Sequence, residues 1–463
     1  MSETISSEWF SHPEWWFSGD PATDKHISDT YGHLFGEPSD DPIEQILRLD
    51  QLPRHLLRDQ PASHVLCFYS LQATKIPIDL STLDDTKLCF ALLPWRHTGI
   101  FSHALYAVEQ AWQRMEFAPS QQLSRFLKAS YERFPSKDPS HVNTDTYPRH
   151  ILSYAPNSHP LPTQHKLPKL EGRIVISLSG GVDSMLASWL LKATGCNLST
   201  VHINYNNRPS ADDETAFVSI WCKALDIPCY VRKIVEIRRP PCMEHGLRTT
   251  YESYTRNVRY AAYKSLEPSI VVLGHNYDDT LAHKSYFLTL KFNVKNNIRA
   301  GMQEFSSQDN IVFWRPLLHM TKQQIIDMAR SHNIPYLPNS TPEWSMRGQI
   351  RSRVIPVIDR WHAGFVPGIA AMASSINELY GLVKASAERS IVSKNRLELG
   401  KHLPTQEMFW RILFEILGIY ISSKSLANMC QLLSKKKNSY NIVLTKNRSI
   451  VLYYDNGWVA DIV

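Results

Sequence analysis

The sequence predicts an α/β protein built on a doubly wound parallel sheet, with an all-helical region before it and a small helical/β region after it. Three observations carry this. Between residues 171 and 360, short β-branched runs alternate with amphipathic helical runs. Up to residue 150 only helical periodicity is visible. Over 361–463 helical patterns return and end in two strand-like runs, 440–444 and 449–454, with Asn447-Arg448 available as a turn.

The elements follow in order. In Pro42-Ile-Glu-Gln-Ile-Leu-Arg-Leu, the residues Ile43, Ile46 and Leu47 share one helical face. His103-Ala-Leu-Tyr-Ala-Val-Glu-Gln-Ala-Trp repeats the helical pattern. The Pro-, Ser-, His- and Asn-rich stretch from Pro135 to Pro168 reads as extended chain. The expected domains are therefore 1–150, a linker at 151–170, a core at 171–360 and a tail at 361–463. Within the core, Arg173-Ile-Val-Ile-Ser-Leu is a buried-strand candidate. A helix over 183–192 follows, with Met185, Leu186, Trp189 and Leu190 on its apolar side. Strands at 198–203, 229–234 and 269–273 alternate with helices at 213–225 and 251–265. Ligands of such sheets sit beyond the carboxyl ends of the strands, which puts the loops 179–184, 204–209 and 274–279 on one rim.

Composition narrows the function classes. The chain has 463 residues, 43% of them hydrophobic, and a net charge of +6. No run reaches the ~20 apolar residues of a membrane span. The start is acidic and lacks a basic, apolar leader pattern, so a cytoplasmic protein without membrane association is expected. Acidic residues dominate up to residue 150 and basic ones afterwards, an asymmetry that suits a polyanionic partner. The 7 cysteines are irregularly spaced and contain no Cys-x-x-Cys, which argues against a disulfide framework and against a cysteine-based metal knuckle.

The chemistry concentrates in Ser177-Leu-Ser-Gly-Gly-Val-Asp-Ser-Met-Leu-Ala, where a strand enters, a glycine pair turns and a helix leaves. Gly180 and Gly181 let backbone approach a ligand. Ser179 and Ser184 offer hydroxyls, and the helix start at Val182 and Asp183 offers N–H groups and a positive dipole end. This is a phosphate cradle. It is not of the Walker type, because no Gly-Lys-Ser/Thr follows.

At these residues the sequence resembles the PP-loop ATPase superfamily, and within it the tRNA(Ile)-lysidine synthetases. His202-Ile-Asn-Tyr-Asn-Asn-Arg208-Pro-Ser, with Glu214 after it, is similar to that family's His-x-Asp-His-x-Leu-Arg-x-x-Ser segment. Arg256-Asn-Val-Arg259-Tyr is similar to its Ala-Arg-x-x-Arg-Tyr helix, and Gly274-His275-Asn-Tyr-Asp278-Asp279 to its Gly-His-His-x-Asp-Asp loop. Arg315-Pro-Leu-Leu and Arg347-Gly-Gln-Ile-Arg351-Ser-Arg353-Val-Ile-Pro356 resemble two further elements. The likeness covers about 171–360 and continues weakly toward the C-terminus.

The resemblance implies an enzyme that adenylates the C2 oxygen of a tRNA cytidine with ATP and joins an amine, lysine in that family, releasing AMP and pyrophosphate. It implies ATP at Ser179–Ser184, His202, Gly274 and His275. It implies catalysis by Asp183, Arg259, Asp278 and Asp279, with Mg²⁺ on the last two, and tRNA contacts from Arg208, Arg315, Arg347, Arg351 and Arg353. An oxygen-rich pair such as Asp278/Asp279 suits Mg²⁺ or a substrate ammonium, and the same pair also fits a helix N-cap with a first-turn acid. The sequence departs from the family at Ala282, where a carboxylate is usual, and over 337–341, where Asp-Pro-Ser-Asn is usual. Two other readings are therefore kept: a tRNA-thiolating relative using Cys222, Cys229 or Cys242, and an ATP- or RNA-binding protein without turnover.

Residues 8–120 resemble an uncharacterised helical family with a TPR-like fold. The likeness rests on Trp15-Trp-Phe, Leu49-Asp50-Gln-Leu-Pro-Arg54 and Leu93-Pro-Trp-Arg-His97. It implies a helical stack that could recruit a protein partner. Asp50, Arg54 and His97 could line a site, or Asp50 and Arg54 could form a helical ion pair.

Overall fold

The computed structural model describes residues 5–16, 19–58, 63–134, 170–280, 302–337, 349–393, 395–435, 437–445 and 448–463. Residues 151–169 of the expected linker and the positions Ala282 and Arg347 lie outside these residues. The described residues form two compact units. The first holds the described residues up to Leu273 together with Ser307–Trp314 and Ser331–Leu337. The second holds 274–280, 302–306, Arg315–Arg330 and 349–463.

In the first unit, β1 (Ile174–Ser177), β2 (Leu198–Asn204), β3 (Cys229–Lys233) and β4 (Ile270–Leu273) pair in parallel. With β5 (Phe305–Gln308) and β6 (Ile311–Trp314) the order is β3-β2-β1-β4-β6-β5. β4 and β6 also run parallel. Central β1 is fully buried at Ile174, Val175 and Ile176, as a strand covered on both faces must be. Helices Val182–Ala193, Ala211–Ala224 and Arg248–Lys264 connect the strands, each within two or three residues of its expected bounds. The sequence reading missed β5 and β6. Asp309 and Asn310, both at positive φ, form the turn between them.

The N-terminal region is all helix among its described residues, from Ile5–Ser11 to Gln121–Glu132. Helix Phe101–Phe117 buries Ala104, Ala107, Val108, Ala111 and Met115, the stripe expected of helical spacing. Ser120 caps helix Gln121–Glu132 by accepting from Leu123 N–H, and that helix buries Leu123, Phe126, Leu127 and Tyr131.

These helices share one hydrophobic core with the α/β sheet. Tyr131 and Phe134 pack with Tyr254, and the cluster continues through Ile234, Ile237, Cys242, Leu247 and Val258. The Tyr131 hydroxyl donates to Glu236 O at 2.9 Å and accepts from Trp112 Nε1 at 2.8 Å. Glu236 is itself buried, pairing with Arg232 and accepting from the Tyr254 hydroxyl at 2.8 Å. Burial pushes the Tyr131 phenol far above the ordinary tyrosine range, so it stays protonated and keeps its role as a donor.

The second unit contains a five-stranded sheet where the sequence suggested two strands. β7 (Ile391–Ser393), β8 (Arg396–Gly400), β9 (Ser439–Thr445), β10 (Arg448–Tyr454) and β11 (Trp458–Ile462) lie in the order β7-β8-β11-β10-β9. Its pairs are antiparallel. β8 and β9 alternate buried and exposed residues, the signature of a sheet covered on one face. Trp410, Leu413 and Phe414 of helix Glu407–Ile416 and Leu426 and Met429 of helix Ser423–Leu433 share the core with it. No helix of the described residues is long and apolar enough to cross a membrane.

The shared core predicts that the N-terminal helices and the parallel sheet unfold together. Tyr131→Phe removes one donor and strands Trp112 Nε1. It should lower unfolding stability by about 1–3 kcal/mol in a single denaturant transition followed at both secondary-structure and tryptophan signals. A separate transition for the helical part would contradict this.

Candidate functional site

β1 ends at Ser177, and Leu178 continues it through a bond from its N–H to Val201 O at 2.9 Å. The chain then turns through Ser179-Gly180-Gly181 into helix Val182–Ala193. Gly180 sits at φ +81°, where a side chain would be strained. A Cβ there would also come within 2.7 Å of Leu337 Cδ1 and 3.3 Å of Val218 Cγ2. Leu337 backs the turn directly, since its N–H donates to Gly180 O at 2.9 Å and it bridges Gly181 in parallel.

Ser184 holds the turn from inside. Its Oγ donates to Gly181 O at 3.0 Å and accepts from Ser179 N–H at 3.1 Å, and the two serine hydroxyls lie 3.1 Å apart. Gly181 is the N-cap residue of the helix and supplies no side-chain cap. The positive end of the helix therefore faces the loop without a built-in anion other than Asp183 in its first turn. A phosphate group suits this turn, where glycine backbone, serine hydroxyls and the N–H groups of a helix start lie together in sequence.

His202 was expected at the nucleotide. Its ring is buried, with Nδ1–H on Leu178 O at 2.8 Å and Nε2 on Thr215 Oγ1 at 3.1 Å, so both nitrogens brace the loop from behind. Burial lowers its pKa, outweighing the bond to Leu178, and keeps it neutral. Asn204, two residues on, donates through Nδ2 to Ala211 O, Asp212 Oδ1 and Thr215 Oγ1 and so shapes the following loop. On that loop Arg208 pairs with Glu214.

Arg259, on helix Arg248–Lys264, is half-buried among tyrosines. Burial pulls its pKa down, but Tyr205, Tyr263 and Tyr260 outweigh that and raise it, Tyr205 also by a hydrogen bond. Its guanidinium lies 5.8 Å from the Tyr260 ring centre. The Tyr263 hydroxyl donates to Ser177 Oγ at 2.7 Å, which ties this helix to the end of β1. Cys222 and Cys242 are buried, and burial pushes the Cys242 thiol up to about 12. Cys222 shares a hydrogen bond with Cys229.

The second unit carries the other expected residues. After Gly274, Asn276 and Asp279 cap each other: Asn276 N–H donates to Asp279 Oδ2 at 3.3 Å and Asp279 N–H to Asn276 Oδ1 at 3.0 Å. Asp278 Oδ2 accepts from Lys322 N–H at 2.6 Å, at the positive end of helix Lys322–Ser331. The capping residue here is thus Asn276, with Asp279 as its first-turn partner. Among the described residues Asp278 Oδ1 accepts no hydrogen bond, and a carboxylate oxygen is a donor chemistry that fits Mg²⁺ or an ammonium. Among the described residues no cluster of three or more His, Cys, Asp or Glu could hold a metal. His275 Nδ1 accepts from Arg315 Nε at 3.2 Å, and Arg315 also donates to Gln303 O and Ser306 Oγ. Arg353 is exposed on the π-turn Ile350–Val354, whereas the Arg351 side chain lies outside the described atoms.

Sequence reasoning missed Leu337, Thr215 and Tyr205 in the first unit and, in the second, Asn276. The Asn-x-x-Asp spacing of Asn276 and Asp279 is a readable capping signal. Nothing in the sequence joins Leu337 to Gly180.

Residues 159–358 match the PP-loop domain family. That stretch is a PP-loop domain by this match, and the chain is similar to tRNA(Ile)-lysidine synthases. A tRNA(Ile)-lysidine synthase of Staphylococcus aureus (strain MRSA252) is 24% identical over 312 residues, 62% of this chain and 70% of that one. One from Actinobacillus pleuropneumoniae serotype 3 (strain JL03) is 30% identical over 208 residues, 44% of this chain and 45% of that one. Among solved structures, the U34-tRNA thiolase NcsA from Methanococcus maripaludis aligns with a TM-score of 0.35 at 15% identity, over 50% of this chain and 76% of that one. That superposition is too loose to carry an argument.

The PP-loop turn makes two predictions. Gly180→Ala should weaken ATP binding at least ~10-fold, because of its positive φ and the Leu337 contact; unchanged affinity by calorimetry would contradict the turn's role. His202 has a folded pKa below its unfolded ~6.5, so the unfolded chain takes up the proton first. Stability should thus fall as pH drops below ~6.5. His202→Asn should remove that share of the pH dependence in denaturation curves from pH 8 to 5.

Proposed function

We propose that this PP-loop protein is an ATP-dependent tRNA-modifying ligase of the lysidine-synthase kind. The observation that carries the reading is the glycine turn at Gly180–Gly181, left-handed at Gly180 and leading into a helix start with no side-chain cap. There the backbone N–H groups and the Ser179 and Ser184 hydroxyls would hold the β- and γ-phosphates. A cytidine O2 would attack the α-phosphorus, the bond to the pyrophosphate oxygen would break, and an amine would then displace AMP at C2. Adenylation turns a poor leaving oxygen into a good one, so the protein's task is positioning and charge stabilisation.

The roles proposed for the side chains follow from their surroundings. Arg259, whose charge the surrounding tyrosines favour, would offset charge building on the phosphates. Asp278 would use its remaining oxygen, with Asp279 beside it in sequence, to hold Mg²⁺ or the incoming ammonium. A bound Mg²⁺ would supply charge neutralisation at the phosphates. His202 would act as a brace. Gly274 and His275, which begin the loop after β4, are proposed as further nucleotide contacts. Arg208, Arg315, Arg347, Arg351 and Arg353 would meet tRNA phosphates, with Arg208 and Arg315 also serving their pairs within the protein. Lysine is the amine suggested by the relatives named above, and a cytoplasmic setting goes with tRNA as substrate.

Total tRNA with ATP, with and without lysine, tests the reading through pyrophosphate release. Lysine-dependent AMP formation is expected. A protein that binds ATP yet releases no pyrophosphate with any tRNA would sink it. Asp183→Ala should abolish turnover and leave tRNA retention on filters nearly unchanged; equal loss of tRNA binding would remove Asp183 from the nucleotide site.

A further inference from the structure

The N-terminal helices contain a buried charge cluster that the PP-loop reaction does not use. A π-turn at Leu47–Gln51 interrupts the helical run there and carries Asp50. Such insertions often mark functional positions. The Asp50 side chain is fully buried. It accepts from His97 Nδ1–H at 2.8 Å, Arg54 Nη2 at 3.1 Å, Ser70 Oγ at 2.6 Å and Gln51 Nε2 at 2.5 Å. Four donors saturate its two oxygens.

Arg96 lies beside this group and is 8% exposed. Its Nε is buried without a hydrogen bond, as is that of Arg54. Its Nη2 lies 3.4 Å from His97 Nε2, and its guanidinium face lies 5.6 Å from the Phe126 ring centre. Among the described residues no carboxylate is within ion-pair distance of Arg96. Burial is the main cause that lowers the His97 pKa, and Arg54 and Arg96 add to it, so the ring is neutral and Nδ1 keeps the proton. The group thus holds two guanidiniums and one carboxylate whose oxygens are spent. An uncompensated buried cation costs several kcal/mol, and an anion would offset that cost. Arg54 remains 26% exposed in its side chain, against 13% for His97, so the cluster reaches solvent on the Arg54 side.

We propose that Arg54 and Arg96, next to the neutral His97 ring, form a binding site for a small oxyanion, the phosphate or carboxylate group of a metabolite-sized ligand. Asp50 is its positioning residue: it fixes the His97 tautomer and the Arg54 fork from beneath. The ligand's oxygens would take the unused guanidinium N–H groups.

The test uses the full-length chain and reads the site itself. Long-range ¹H–¹⁵N spectra follow the His97 ring, assigned by its loss in His97→Gln, during separate titrations with inorganic phosphate and acetate against chloride at equal ionic strength. A saturable shift of the His97 ring is expected with at least one of them, and the ion that shifts it names the charge group. Arg96→Met and Arg54→Met should each weaken that binding at least ~10-fold, while ATP affinity stays within ~2-fold. If either methionine variant fails to fold, the wild-type His97 signal still decides. No shift of His97 with either ion, or equal shifts in wild type and a folded Arg96→Met, would overturn the site. Phosphate uptake seen by calorimetry without a His97 response would place binding at the PP-loop and would equally overturn it.

Discussion

A left-handed turn at Gly180 is favoured by glycine, and here a Cβ would also collide with Leu337, so the end of the central strand depends on the missing side chain. Leu337 fastens the turn from outside through backbone bonds, Ser184 from inside through its hydroxyl, and His202 holds Leu178 from the neighbouring strand. Each contact engages a backbone carbonyl of the turn or of the residue leading into it. On the proposed reading a phosphate would be held there without a lysine in the loop, by positive potential from backbone geometry rather than from a side chain.

The same unit carries a second polar framework in its apolar core. Glu236 and Arg232 are buried as an ion pair where the N-terminal helices meet the sheet, with Tyr254 donating to the Glu236 carboxylate and Tyr131 to its backbone carbonyl. Buried charges are tolerated when all their partners are present. The helical region and the nucleotide-binding sheet are therefore one packed body, consistent with their shared core. Asp50 shows the same rule inside the helices, where four donors compensate one carboxylate, while Arg96 beside it shows an incomplete case.

Several residues chosen for chemistry are held by the framework. His202 has both nitrogens engaged, Arg208 is paired with Glu214, and one oxygen of Asp278 caps a helix. In each case the residue type suited a ligand and a structural partner equally well. The sequence pattern could name the position but not the atom to which the side chain is committed.

Local chemistry alone determined the parallel sheet, the Ser179–Ser184 cradle and the helices that flank it. β-branched runs, helical spacing and a glycine pair act within a few residues of one another, and their signals survive without a partner. The remainder was decided by tertiary structure. β7, β8 and β11 are short strands that become a sheet only by pairing with β9 and β10, and only chain folding brings Leu337 to Gly180, His97 to Asp50 and Tyr131 to Glu236. These contacts join residues from 47 to more than 100 positions apart, a distance over which no periodicity or spacing carries information.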